Sequence, residues 1–157
     1  MSASNSAEPR LLIPGLAGFY DHARDWAWVV IRLTIGGVLL THGIGKLMGT
    51  QTVAAFAAGS MARRGIEPAL AFAYAAWFLE TVGATCLILG LFTRFFAAAI
   101  AIEFAFIAFV ASWPNGWGWS RPGGGWEFGF LFGLITFAIA LRGGGPYSLD
   151  RVIGKEL

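Results

Sequence analysis

Residues 32–46 read RLTIGGVLLTHGIGK. The run is apolar enough to enter a bilayer, yet it holds Arg32, His42 and Lys46, three side chains that hydrocarbon penalises. How one helix can keep both properties decides the fold. The rest of the chain supplies the setting. Its 157 residues suit one domain. Of these, 57% are hydrophobic and 13% charged, where an ordinary soluble domain carries roughly a quarter charged residues. Mean hydropathy is +0.66. A soluble core of this size could not enclose so much apolar side chain, so the class is membrane protein. The formal charge of +2 is too small to indicate a nucleic-acid partner.

A helix needs roughly 20 mostly apolar residues to cross the hydrocarbon. Four stretches are read as spans, at about 26–48, 69–91, 95–113 and 126–141. They predict an all-α, four-transmembrane-helix bundle over 26–142. Residues 1–25 read as a polar tail and a short interfacial segment, with Phe19, Tyr20, Trp26 and Trp28 at headgroup depth. Pro14 and Gly15 break the early apolar stretch, which does not read as a signal peptide. Residues 143–157 read as a second polar tail. Between spans one and two, 50–68 predicts a surface-lying helix or re-entrant turn that Gly65 ends. The link "FTR" makes spans two and three an antiparallel hairpin, and "PNGWGWSRPGGG" (114–125) is an aromatic, glycine-rich loop.

Buried charge is affordable in such helices. A central Glu or Arg costs about 2.5–3.5 kcal/mol, against a gain of roughly 0.3–0.6 for each Leu, Ile, Phe or Val. Basic residues set the orientation. Arg10, Arg24, Arg94, Arg142, Arg151 and Lys155 lie at the end that holds the termini, with Arg32 just inside it. Lys46, Arg63, Arg64 and Arg121 lie at the other. The excess predicts both termini in the cytoplasm, in an inner membrane of bacterial type. Small residues mark expected helix contacts: Gly36 and Gly43 in span one, Ala101 and Ala105 in span three, Gly129 and Gly133 in span four.

Depth along the helices orders the charged groups. At ~1.5 Å per residue, Arg32 enters about 8–10 Å from the terminal side and Glu103 about 12 Å. Glu80 falls near the midpoint of span two, His42 and Lys46 lie one turn apart beyond it, and Glu127 sits near the level of Lys46. Intramembrane ionisable residues face a bundle interior. The six therefore predict one internal polar seam, in which Arg32 pairs with Glu103 or Glu80. A purely structural role stays open for the Arg–Glu groups, and snorkelling to the interface for His42 and Lys46. Cys86 is the only cysteine, so no internal disulfide forms, and no metal site is read. The glycine runs lack the context of a phosphate loop.

The pieces "RLTIGGVLLTHGIGKL", "FLETVGATCLILGLFTR" and "GGGPYSLDR", in this order and spacing, resemble the DoxX-like family of small four-helix integral membrane proteins. The resemblance covers about residues 26–151. It implies redox chemistry at a membrane, since relatives include a subunit of a thiosulfate:quinone oxidoreductase. The family's recurrent positions fall here on Arg32, Gly36, Gly43, Lys46, Glu80, Gly83, Gly90, Thr93, Arg94 and Asp150. This chain departs from the pattern in its Trp- and Gly-rich loop, and no cysteine is obviously placed to hold a sulfur substrate.

Two functions are expected at nearly equal weight. One is a quinone-linked redox subunit, with His42 and Lys46 as donors and Glu80 or Glu127 relaying protons. It would be at most an accessory subunit of an oxidoreductase, because no residue here carries electrons over distance and other subunits must. The other is a non-catalytic anchor that stabilises a larger membrane complex. A transporter ranks below both, as no inverted repeat is visible.

Overall fold

The computed structural model describes residues 10–49 and 51–157, and all their regular structure is helical. Positions 1–9 of the expected polar tail, and Thr50, lie outside the described residues. Three helices are long and apolar enough to cross a membrane: Pro14–Met48, Ala69–Leu89 and Thr93–Ala111, of 35, 21 and 19 residues. Only 28–33% of each apolar window is buried within the protein. Much of the remaining apolar surface is exposed, which suits a lipid solvent. The segment expected at the interface is continuous with the first helix rather than a separate element.

The fourth helix, Glu127–Arg142, differs from expectation. Its 16 residues rise about 24 Å, short of the ~30 Å hydrocarbon core. By length alone, three helices span rather than four. The cause is local: Pro122 and the left-handed Gly123 and Gly124 (φ +84° and +74°) prevent an earlier start, and Gly143 (φ +83°) ends the helix.

The helices pack in chain order, first on second, second on third, third on fourth. Ile35 and Leu39 of the first helix meet Ala84 and Leu87 of the second and Ile100 of the third in one core. Glycine makes the close approaches possible. A Cβ on Gly43 would lie 2.7 Å from the Glu80 carbonyl oxygen, and one on Gly36 2.9 Å from that of Ala84. One on Gly129 would lie 3.1 Å from the Ala108 nitrogen, and one on Gly133 3.3 Å from Phe104 Cβ. Ala101 is buried and Ala105 exposed, and the backbones of both run beside Gly133. Such contacts replace the hydrophobic drive that lipid removes.

The second and third helices turn back on one another through Gly90 (φ +68°) and Phe92 (φ +48°). Between the first and second, Val53–Phe56 begins a short helix that runs through Ala57–Met61 and Ala62–Arg64 to a left-handed Gly65. Val53 and Ala57 dock it onto Ala73. Three helical segments also widen by one residue per turn, at Ala57–Met61, Leu79–Gly83 and Ile107–Ala111. The first and third lie toward the end away from the termini and the second at the middle of its helix, and turns of this kind gather at functional sites.

Candidate functional site

The six charged groups do not form one seam; the bundle separates them into two ends. At the end holding the chain termini, Arg32 is buried, with 1% of its surface exposed. Its guanidinium donates to the Leu87 carbonyl (3.3 Å) and the Tyr147 carbonyl (2.7 Å), while Nε has no partner among the described residues. Neither Glu80 nor Glu103 pairs with it, which corrects the expected ion pair. The carboxylate in electrostatic reach is Asp150, also 1% exposed. Ladder order along separate helices misled here: the partner comes from the tail, which folds back to close this end.

Asp150 is the fixed point of that closure. It accepts from the Phe92 nitrogen (2.6 Å), the Thr93 nitrogen (2.9 Å) and the Thr93 hydroxyl (2.6 Å). Its own nitrogen donates to the Gly90 carbonyl at 2.9 Å. A Cβ at Gly90 would strike the Arg32 guanidinium and Ser148. Nearby, Arg94 donates to Glu156 (2.7 Å) and to the Ala140 and Leu141 carbonyls, and Trp28 donates to the Gly143 carbonyl at 2.9 Å. These bonds tie the chain to itself. This end is a structural clasp.

The opposite end is different. Lys46 of the first helix and Glu80 of the second form an ion pair, each side chain 11% exposed. Glu80 sits in the wide turn Leu79–Gly83, and the Lys46 ammonium lies 4.7 Å from the centre of the Phe56 ring. A cavity of about 540 Å³ opens on one side of the pair, with Thr41, His42, Gln51, Ser60 and Arg64 among its polar lining. Arg64 bridges the short helix to the third, donating to Ser60 (2.6 Å to its hydroxyl) and to the Ala111 carbonyl (3.2 Å). On the other side lies a narrower slot of about 210 Å³, apolar apart from Glu80 and Glu103. Phe56, Met61, Glu80, Phe106 and Ile107 line both spaces.

Glu103 is the anomaly of this end. Both carboxyl oxygens are buried, and neither has a hydrogen-bond partner among the described residues. Lys46 and Glu80 lie within electrostatic reach of it. His42 is exposed on the rim of the larger cavity. Glu127, expected at the level of Lys46, instead accepts from the Trp119 nitrogen at 3.1 Å and belongs to the aromatic loop. There Trp126 stacks on Trp113 (ring centres 5.0 Å apart) and meets Trp117 edge-on at 4.4 Å. Among the described residues, no group of three or more His, Cys, Asp and Glu is placed to hold a metal ion.

Residue-level reading of the sequence missed Gln51, Ser60 and Arg64, because a surface-lying helix gives no sign of which cavity it roofs. It also left Asp150 out of the seam, though the family pattern contained it.

Apolar helices exposed to lipid and polar groups gathered at both ends define a small integral membrane protein. Residues 27–113, more than half of the chain, match the family model described as DoxX. The chain belongs to the DoxX family. That match spans the first three helices with Lys46, Glu80 and Glu103, and ends before Asp150. No curated protein and no solved structure matches the chain.

Proposed function

We propose that this protein is a membrane subunit of a redox complex and that the paired cavities around Lys46 and Glu80 receive the head of a lipid-soluble quinone. The observation that carries the reading is Glu103: a carboxyl group with no hydrogen-bond partner among the described residues, set in an apolar slot beside a buried ion pair. A buried polar group with no partner calls for an explanation, and a redox or catalytic role is one that would supply it. A quinone needs an apolar space for its ring, donors for its carbonyl oxygens and a carboxyl group near them. Lys46 and His42 are the donors at this end, Glu80 and Glu103 the carboxyl groups, and the slot is apolar. The residues present therefore fit the group. When bound, a quinone would supply the electron-accepting chemistry, and these side chains would orient its ring and hold or move its protons. Electrons would come from a partner subunit.

The test is quinone content after purification in native lipid. Wild-type protein is expected to retain quinone, and His42→Ala and Glu80→Gln to retain less. Glu103→Leu is the sharper variant. It should lose about tenfold in affinity, one hydrogen bond's worth. It should unfold no more easily than wild type, because an orphaned buried polar group costs on the order of 1–3 kcal/mol. Quinone-free wild-type protein, or full content in Glu103→Leu, defeats the proposal.

A second reading, an anchor that stabilises a larger complex, is favoured by an apolar groove of about 370 Å³ between the third and fourth helices, lined in part by Ala101, Ala105, Gly129 and Gly133. In either case the fourth helix crosses the bilayer with the other three, its short apolar run extended by the aromatic loop. Both termini face the cytoplasm across an inner membrane of bacterial type. A reporter fused after Leu157 is expected to be active only on the cytoplasmic side; activity on the far side reverses the orientation.

A further inference from the structure

The end of the bundle closed by the tail carries a second feature that the clasp does not use. A basin of about 510 Å³ lies between the last turn of the fourth helix, the bend at Gly145 and Pro146, and the short helix Leu149–Ile153. Four basic and three acidic side chains line it: Arg94, Arg142, Arg151, Lys155, Asp25, Asp150 and Glu156. Most of the acids are already committed. Asp150 is saturated by Phe92 and Thr93. Glu156 accepts from Arg94 at 2.7 Å and from the Gly144 nitrogen at 3.0 Å. Arg94 is committed in turn, to Glu156 and to the carbonyls that end the fourth helix. The side chains of Arg142, Arg151 and Lys155 make no hydrogen bond or ion pair among the described residues, and Asp25 is the one acid left to oppose them.

The surroundings say what such a basin meets. Trp26 stacks on Tyr147 with ring centres 4.8 Å apart, and Trp28 is bonded to the Gly143 carbonyl. Amphipathic rings of this kind settle at headgroup depth, so the basin opens into that layer rather than into bulk water. Val152, Ile153 and Leu157 flank the cations and are exposed by 81%, 55% and 68%. Apolar side chains there stand beside the basic ones, where a ligand with both a phosphate and an acyl chain would touch both. Arginine forks suit phosphate oxygens in geometry as well as charge.

We propose that this basin binds the phosphodiester headgroup of an anionic phospholipid, with Arg142, Arg151 and Lys155 on the phosphate and Val152 and Ile153 against the upper acyl chain. The site is separate from the cavities around Lys46 and stands whether or not those take a quinone. It would fix the tail, and with it the clasp at Asp150, to one leaflet.

The full chain in a neutral detergent is titrated with short-chain phosphatidylglycerol, short-chain phosphatidylcholine and inorganic phosphate, with bound ligand counted by native mass spectrometry. Saturable binding of phosphatidylglycerol, with weak binding of the other two, is expected. Each basic residue near a membrane surface contributes about fivefold in affinity, so Arg142→Gln/Arg151→Gln/Lys155→Gln should bind roughly 100-fold more weakly. Arg121→Gln, in the loop at the far end, should bind as wild type does. If the triple variant does not fold, Arg142→Gln and Lys155→Gln alone should each lose about fivefold. Equal binding of phosphatidylglycerol and phosphatidylcholine, or variants that bind like wild type, overturns the site. Inorganic phosphate that competes at the same concentration as the lipid overturns the lipid assignment.

Discussion

Asp150→Ala is expected to destabilise the protein by roughly 3–5 kcal/mol, the loss typical of breaking a buried charge cluster by removing one member. The variant strips the acceptor from three donors at once: the Phe92 and Thr93 nitrogens and the Thr93 hydroxyl. The two Thr93 donors then stay buried without that acceptor, and the Phe92 nitrogen loses it at a half-buried position. It also leaves the buried Arg32 without the carboxylate in its electrostatic reach. Phe92 adds to the loss. It holds a left-handed backbone (φ +48°) without being glycine, a conformation that persists only where surrounding bonds impose it. Asp150→Asn keeps an acceptor and removes the charge, so it should fall between wild type and Asp150→Ala. Thermal unfolding in one detergent, with all three proteins compared at the same protein concentration, reads the order. A loss below about 1 kcal/mol for Asp150→Ala would show that the clasp does not hold this end together.

Glu80→Ala should cost a similar amount, on the order of 3–5 kcal/mol, because it leaves the Lys46 ammonium in a nearly closed space without its partner. The pair itself is a different quantity. Glu80→Ala/Lys46→Met removes both charges, and a buried pair replaced by apolar side chains is often neutral in stability. The double variant should therefore recover most of what the single variant lost, and the excess over additivity measures the coupling. Glu103 sharpens the comparison. It lies within electrostatic reach of Lys46, so in Glu80→Ala the ammonium has a second carboxyl group to turn to. Glu80→Ala/Glu103→Leu closes that escape and should be the least stable of the set. If Glu80→Ala proves harmless both with and without Glu103, Lys46 reaches water on its own and the pair is not buried in any energetic sense.

Much of the architecture is legible in single residues. Arg32, Glu80 and Glu103 each sit in a run whose apolar neighbours outweigh one charge, so hydropathy alone finds the three long helices. Gly65 and the "FTR" link give away the end of the short helix and the tight hairpin, because left-handed and minimal turns leave local marks. The fourth helix reads as a span because residues 126–141 are apolar, whereas the glycines at 123–125 and at 143 leave it only 16 residues.

The site was less legible. Depth alone pairs Arg32 with Glu80 or Glu103, yet it meets carbonyls of Leu87 and Tyr147 and the charge of Asp150. Depth alone sets Lys46 level with Glu127, yet it meets Glu80. Depth along a helix is a one-dimensional coordinate. Pairing also depends on the rotation of each helix about its axis, and a wide turn such as Leu79–Gly83 changes that rotation within a single residue.

By itself, then, the sequence determined the solvent this chain folds in and placed the three long apolar helices, though not the shortness of the fourth, because the free energy of entering lipid is nearly a sum over residues. It also marked, through Gly36 and Gly43, where backbones come close. Only the tertiary structure decided which charges meet: Arg32 with the tail, Lys46 with Glu80, and Glu103 with no hydrogen-bond partner among the described residues. Those choices turn on angles and distances of a few ångströms between separate helices, and a sum over residues carries no such terms.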